Sequence, residues 1–103
     1  QTVSDGRPSQ TERWAQFARI GEAFIARLPV ERHCVLLTLV PSVDTRRAEA
    51  QSIAAALGAE LVAPQIDGLR TFDGSHLDPA SAERWSAAFF DAAGPRIREC
   101  LAR

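Results

Sequence analysis

Hydrophobic residues recur at helical spacing over the first third of the chain. The large apolar side chains with this spacing are Trp14, Phe17, Ile20, Phe24, Ile25 and Leu28. Such spacing predicts an amphipathic helix with an aromatic stripe, which we expect to belong to the core. Ser9 and Glu12 fit a capping box at the start of this helix, and Pro29 ends it.

The residues before this helix have a different character. Positions 1–8 are polar, contain Gly6 and Pro8, and show no periodicity. This composition is typical of a linker or loop. We therefore separate residues 1–8 from residues 9–103, which we expect to form part of one domain.

Two apolar runs predict β-strands. The run 34–40 is almost continuously apolar and ends at Pro41, the pattern of a strand covered on both faces in a parallel sheet. The run 60–63 predicts a second, shorter strand. Between them the pattern favours a helix that Asp44 or Thr45 caps and that Gly58 ends.

A last helix begins after a polar loop. Asp78 is suited to be its N-cap and Pro79 its first residue. Its apolar positions include Ala82, Trp85 and Phe89, and we expect a break or kink at Gly94-Pro95.

These elements predict an α/β fold in the order helix, strand, helix, strand, helix. Right-handed crossovers make the two strands parallel. A sheet of two strands has two open edges, whereas a strand as apolar as 35–40 normally lies inside a larger sheet. We therefore expect the rest of the sheet to come from further residues of the same polypeptide or from a partner chain. The absence of Met agrees with a fragment or processed product, although removal of a tag would also explain it.

The candidate chemistry lies in the loop before the last helix, where Asp73 and His76 form an Asp-x-x-His motif. Histidine titrates near neutral pH and acts as a base when a carboxylate holds its ring in one tautomer. The loop follows a strand, which places His76 at the carboxyl edge of the sheet, where α/β proteins carry their sites. The simpler interpretations are a solvated loop histidine and an Asp73 that only stabilises the turn at Gly74.

The stretch from Phe72 to Leu77, followed by Pro79 and the helical segment 81–85, resembles the end of an SGNH (GDSL-type) hydrolase. The resemblance covers roughly residues 33–103 and rests on the Asp-x-x-His block in its strand, loop and helix context. It implies a flavodoxin-like α/β/α sandwich acting on esters, often acyl groups of lipids and polysaccharides. It also implies that His76 is the general base that activates a serine and that Asp73 orients His76.

The chain lacks the other characteristic sequence segments of that family. The family's nucleophile stands in a Gly-Asp-Ser segment near its amino end, and a Gly and an Asn complete the oxyanion site. Here the only Ser-Asp is Ser4-Asp5, without the preceding Gly, and there is no Asn. We therefore expect the C-terminal part of a serine esterase or acyltransferase whose nucleophile is not in this chain. The alternative is a non-catalytic module of the same fold that binds a partner or dimerises.

Two serines stand close to the predicted site. Ser42 follows the first strand, on the same edge as His76, and Ser75 adjoins His76. Both are candidates to line a pocket. Ser42 lacks the glycine-bearing elbow of a nucleophile, so a loop or capping role is favoured, and Ser75 is too close in sequence to react through the His76 ring.

Cys34 and Cys100 fall at the start of a strand and the end of the last helix, which are on the same side of a parallel α/β layer. A disulfide between them or two buried free thiols both fit this placement. A disulfide would favour a periplasmic or other extracytoplasmic location. His33 begins the strand, away from the site, as a surface residue.

The composition and the motifs of the chain restrict the classes of partner and ligand that we expect. The net charge of -1 argues against nucleic acid, and no apolar run approaches the length of a membrane span. No glycine-rich turn follows either strand, which disfavours a nucleotide-binding domain. We expect no cofactor and no metal site, since His76 and Asp78 offer too few ligands for zinc. The expected substrate is an ester or an acylated small molecule or polysaccharide.

Overall fold

The computed structural model describes residues 2, 3 and 11–102. This part of the chain is a small mixed α/β structure, as predicted. Its helices are α1 (Thr11–Ile25), α2 (Arg47–Leu57) and α3 (Pro79–Leu101), its strands are β1 (Leu36–Leu37) and β2 (Glu60–Leu61), and a short 3-10 helix (Arg32–Cys34) precedes β1. The predicted order of helices and strands is confirmed.

The sheet is parallel, with Leu36 opposite Glu60 and Leu37 opposite Leu61. Both strands are shorter than predicted: the expected strand 34–40 is reduced to two residues because its start forms the 3-10 helix and the stretch after Leu37 pairs with no other strand of the described chain. Leu36 and Leu37 are only half-buried. The expected cover on both faces is therefore incomplete within the described residues.

Helix α1 packs against α2 through small and aliphatic residues. Ala18 and Ile25 are buried, and a Cβ on Gly21 would lie 3.1 Å from Leu57 Cδ1, so the two helices approach closely there. The larger side chains lie on the opposite face. Phe17, Ile20 and Phe24 have exposed fractions of 42%, 61% and 64%. The prediction that Phe17 and Phe24 belong to the core is wrong, because small residues of α1 make the close contact instead.

The predicted capping of α1 by Ser9 falls outside the described residues, as do the side chains of Glu12 and Trp14. Helix α1 ends at Ile25, three residues before the predicted end at Leu28. The chain then turns through hydrogen bonds such as Leu28 N–H to Ile25 O, at 3.0 Å. Pro29 therefore follows a turn rather than the helix itself.

Helix α2 begins later than predicted. Its N-cap is Arg46, without a capping side chain, so the expected caps Asp44 and Thr45 are wrong. The Thr45 hydroxyl donates instead to the Ser42 carbonyl at 2.8 Å and accepts the Ser42 N–H at 3.1 Å. The other end is as predicted, since Gly58 stands in the left-handed region with φ 63°.

A hydrophobic cluster of Leu69, Leu77 and Trp85 supports the loop that carries Asp73 and His76. Leu69 is 1% exposed, and Phe89 stacks on Trp85 with ring centroids 5.4 Å apart. Leu69 lies just before the loop, and Leu77 is the last residue of the loop. Burial of these two side chains against α3 therefore fixes both ends of the loop.

Helix α3 starts as the sequence predicts. The Asp78 carboxylate accepts the Ser81 N–H at 2.9 Å, and Pro79 occupies the first turn. The Ser81 hydroxyl accepts the Arg70 N–H at 2.8 Å, which ties the helix start to the strand-like segment before the loop. Of the break or kink expected at Gly94-Pro95, the break does not occur, because α3 continues through Pro95 to Leu101.

Replacing Asp78 with Ala removes the only side-chain acceptor that caps α3 in the described chain, and we expect the Tm to fall by about 4–8 °C. Asp67→Ala is the matched control, because Asp67 is an exposed carboxylate outside the helix and its loss should leave the Tm nearly unchanged. Thermal unfolding followed by circular dichroism measures both. Equal Tm values for the two variants would contradict the capping role.

Candidate active site

Residues 71–77 form a closed loop. Thr71 and Leu77 pair in an antiparallel bridge, and the Phe72 N–H donates to the His76 carbonyl at 3.1 Å. Gly74 lies at the tip with φ 86°, a conformation that favours glycine, and its N–H donates to Thr71 Oγ1 at 3.1 Å. The loop is thus closed by hydrogen bonds between its own residues.

Asp73 binds this loop with both carboxylate oxygens. Oδ1 accepts the backbone N–H groups of Ser75, at 2.9 Å, and of His76, at 2.7 Å. Oδ2 lies 2.7 Å from His76 Nδ1. One oxygen therefore closes the turn while the other holds the imidazole, so the structural and the orienting interpretations of Asp73 apply together.

The hydrogen bond to Asp73 fixes the tautomer of His76. A carboxylate only accepts hydrogen bonds, so the proton lies on Nδ1 and the neutral ring carries its lone pair on Nε2. The side chain is 73% exposed, and Nε2 has no hydrogen-bond partner among the described residues. Phe72 stacks on the ring with centroids 5.9 Å apart. The imidazole is therefore oriented as a base and open to a reacting group.

The electrostatics of the pair favour a charged carboxylate. The hydrogen bond from the His76 side chain, followed by those from the Ser75 and His76 backbone N–H groups, lowers the pKa of Asp73 from 3.8 to about 2. Asp73 consequently stays ionised at any pH where histidine titrates. Its charge can stabilise an imidazolium that forms when Nε2 takes a proton.

We expect the Asp73 carboxyl carbon to titrate near pH 2 by NMR, and the His76→Ala variant to move this midpoint up toward 3.8 because the largest contribution is lost. Since the pKa in the folded chain is the lower one, the carboxylate's contribution to loop order is complete above about pH 4 and disappears as the pH falls through 2.

Asp78 is the internal control for this titration, because its lowered pKa comes from the hydrogen bonds with Ser81 and not from His76. Its midpoint should be the same in both proteins. An Asp73 midpoint that does not respond to His76→Ala would contradict the hydrogen bond on which the site is built.

The loop lies against the segment that follows β1. The Val43 N–H donates to the Gly74 carbonyl at 3.1 Å, and the Asp78 N–H donates to the Arg70 carbonyl at 2.9 Å. This brings the carboxyl end of β1 and the Asp73 loop together, where the sequence predicts the site. The Val43 contact and the Phe72 stack were not predicted, because neither residue type carries a catalytic signal.

Neither candidate serine is hydrogen-bonded to His76 through its hydroxyl. The Ser42 hydroxyl accepts the Asp44 N–H at 3.2 Å and so belongs to the turn before α2. Ser75 is exposed and contributes its backbone N–H to Asp73. The turn geometry agrees with the loop role favoured for Ser42.

A cavity of about 340 Å³ lies near the carboxyl ends of the two strands. Its lining includes Pro41 and Thr45 after β1, and Pro64 and Ile66 after β2. The candidate pocket residues Ser42 and Ser75 are not part of this lining, and neither is the Asp73–His76 pair. The imidazole therefore stands at the surface of the described chain.

The chain was compared with protein-family models, with curated proteins and with solved structures. None of the three comparisons gives a match. No helix in the described part of the chain combines the length and apolar character needed to cross a membrane.

Cys34 and Cys100 form a disulfide, the first of the two arrangements that their positions allow. Their Cα atoms are 5.9 Å apart. The bridge joins the last residue of the 3-10 helix before β1 to the end of α3, and Arg96 Nη1 reinforces the same junction by donating to the His33 carbonyl at 2.6 Å. It therefore ties α3 to the amino end of β1, whereas the Asp73 loop lies near the carboxyl end.

Proposed function

We propose that this chain supplies the Asp-His half of a serine esterase or acyltransferase of the SGNH type. The observation that carries the proposal is the 2.7 Å contact between Asp73 Oδ2 and His76 Nδ1 in a loop that leaves Nε2 exposed. A histidine with only a structural role needs neither an exposed Nε2 nor a free lone pair on that atom. A general base needs both.

In the proposed reaction, His76 Nε2 accepts the proton of a serine hydroxyl as the serine oxygen attacks the acyl carbonyl carbon. The Asp73 carboxylate stabilises the imidazolium that results. His76 then returns the proton to the departing alcohol, which leaves an acyl-serine. Water, or an acceptor hydroxyl in an acyl transfer, releases the acyl group through the same base.

The serine and part of the oxyanion site come from residues outside this chain. The sequence has no Gly-Asp-Ser segment and no Asn, and the Ser42 hydroxyl is used in a turn. The parallel pair β1 and β2 would then be part of a larger sheet in a flavodoxin-like sandwich. The half-buried leucines of β1 and the exposed apolar face of α1 support such a completion.

The second candidate is a non-catalytic module that binds a partner or dimerises. The observation that favours it is the exposed apolar stripe on α1, where Ile20 and Phe24 are more than half exposed. This function does not need the orientation of His76. It predicts that the 103-residue chain alone forms a stable dimer or binds an apolar partner.

Hydrolysis of a short-chain nitrophenyl ester by the natural polypeptide that contains these residues distinguishes the two. We expect hydrolysis, inhibition by serine-directed reagents, and an upstream strand that ends in Gly-Asp-Ser. A polypeptide without that segment and without ester hydrolysis, whose isolated residues 1–103 dimerise by light scattering, would support the module instead.

A further inference from the structure

A second cluster of chemically reactive side chains lies at the disulfide, at the other end of β1 from the Asp73 loop. His33, Cys34 and Cys100 each offer one ligand atom, and these three atoms lie within 4.8 Å of one another. The sequence predicts that Cys34 and Cys100 lie near each other, 66 residues apart, but it does not predict that His33 joins them. The fold brings together two sulfurs and an imidazole, which are the ligands that zinc prefers.

The distance between His33 and Cys34 fits a tetrahedral ion, whereas the two sulfurs, 2.06 Å apart in the disulfide, must separate to about 3.8 Å after reduction to bind the same ion. His33 Nε2 lies 3.6 Å from Cys34 Sγ. A zinc ion with Zn–S about 2.3 Å and Zn–N about 2.0–2.1 Å separates these two atoms by about 3.6 Å. Glu99 Oε1 lies 3.8 Å from the same Nε2 and offers a fourth, oxygen ligand.

The surroundings of His33 suit a metal ligand. Glu31 Oε2 lies 3.4 Å from His33 Nδ1, on the side of the ring away from the cluster. A carboxylate in this position fixes the ring and leaves Nε2 as the ligand atom. Arg96 is a cation near the cluster; its Nη2 pairs with Glu60 at 3.1 Å and its Nε lies 3.9 Å from Glu99 Oε2. Its charge is thus shared with two carboxylates.

We propose that this cluster binds zinc when the disulfide is reduced, through Cys34, Cys100 and His33, with Glu99 as fourth ligand. A dithiol reductant transfers two electrons and two protons to the Cys34–Cys100 bond and is itself oxidised to a disulfide. The two cysteines become free thiols. Each thiol loses its proton when it binds Zn²⁺. Reoxidation of the two thiolates by a disulfide oxidant reforms the bridge and releases the metal.

The cluster is accessible to a reductant and to a metal ion. A groove of about 470 Å³ runs along it, lined by Val30, Glu31, Cys34, Ile97, Cys100 and Leu101. Both cysteines are half-buried and His33 is exposed. The proposal is independent of the ester chemistry at His76, and it gives the junction between β1 and α3 two alternative cross-links, one covalent and one metallic.

The test uses the chain reduced with a phosphine, with zinc added and excess metal removed. Native mass spectrometry should show one zinc per reduced chain and none per oxidised chain. Cobalt(II) in place of zinc should give thiolate-to-metal charge-transfer absorption. His33→Ala should weaken zinc binding at least 10-fold and Glu99→Gln more mildly, whereas His76→Ala, which removes the other histidine, should leave binding unchanged.

Zinc binding by the cysteines alone is the competing result. If the reduced His33→Ala chain binds zinc as tightly as the reduced His76→Ala chain, the proposed site is wrong, and it is equally wrong if the reduced wild-type chain takes up no zinc. If reduction unfolds the chain, circular dichroism measures whether added zinc refolds it. Refolding on addition of zinc supports the site if it requires His33, and contradicts it if His33→Ala refolds equally well.

Discussion

Replacing His76 with Ala is expected to lower kcat/KM for a short-chain nitrophenyl ester by about 10⁴-fold or more in the natural polypeptide. The imidazole is the only group near the Asp73 loop, among the described residues, that can take the serine proton at neutral pH. His33→Ala is the matched control, since His33 lies at the amino end of β1. Full activity of the His76→Ala variant would show that His76 is not the general base.

Asp73→Asn separates the two roles of the carboxylate in the same assay. Asn keeps an oxygen that can accept the Ser75 and His76 backbone N–H groups, so the turn should persist. Its amide nitrogen, however, donates toward Nδ1 and favours the wrong tautomer, with the proton on Nε2. We expect a loss of about 10⁴-fold in kcat with little change in Tm. A large loss of Tm with little loss of kcat would assign Asp73 to the turn alone.

Removal of the disulfide by the paired substitutions Cys34→Ala and Cys100→Ala is the second large expected effect. The bridge closes a loop with a sequence separation of 66 residues, which constrains the unfolded chain. Its loss should reduce the free energy of unfolding by about 4 kcal/mol in the chain-entropy description. Urea unfolding in the presence of a metal chelator measures this value without a contribution from bound zinc.

The reduced wild-type chain is the control for this measurement. Under a thiol reductant and chelator it should unfold at nearly the same urea concentration as the double variant, while the reductant should not affect the double variant. Equal stability of the oxidised wild type and the double variant would show that the junction between β1 and α3 is held by other contacts, such as that of Arg96 with His33.

The features that the sequence predicts best are local. Gly58 ends α2 because only a residue tolerant of positive φ fits there, and Asp78 with Pro79 starts α3 because a carboxylate cap and a missing N–H suit a helix start. The Asp73–His76 contact belongs to the same class, since a turn at Gly74 brings residues three apart together. In each case the decisive atoms lie within a few residues of one another.

The features that the sequence predicts poorly depend on distant partners. Strand length follows the available neighbouring backbone, so the apolar run 34–40 gives only Leu36–Leu37 in β1. Which face of α1 is buried depends on α2, which accepts Gly21 and Ala18 rather than Phe24. The proposed zinc ligands His33 and Glu99 escape prediction because the sequence indicates only that Cys34 and Cys100 lie near each other, and neither His33 nor Glu99 belongs to a known zinc-binding motif.

In the proposed function, Asp73 and His76 complete the active site of a serine hydrolase. Intact-mass spectrometry under denaturing conditions, after treatment of the natural polypeptide with a fluorophosphonate probe, tests it most directly, with the His76→Ala protein alongside. We predict one probe adduct on a serine outside residues 1–103 in the wild type and almost none in the variant. A wild-type polypeptide that remains unlabelled, or a variant labelled as fast as the wild type, would contradict the claim.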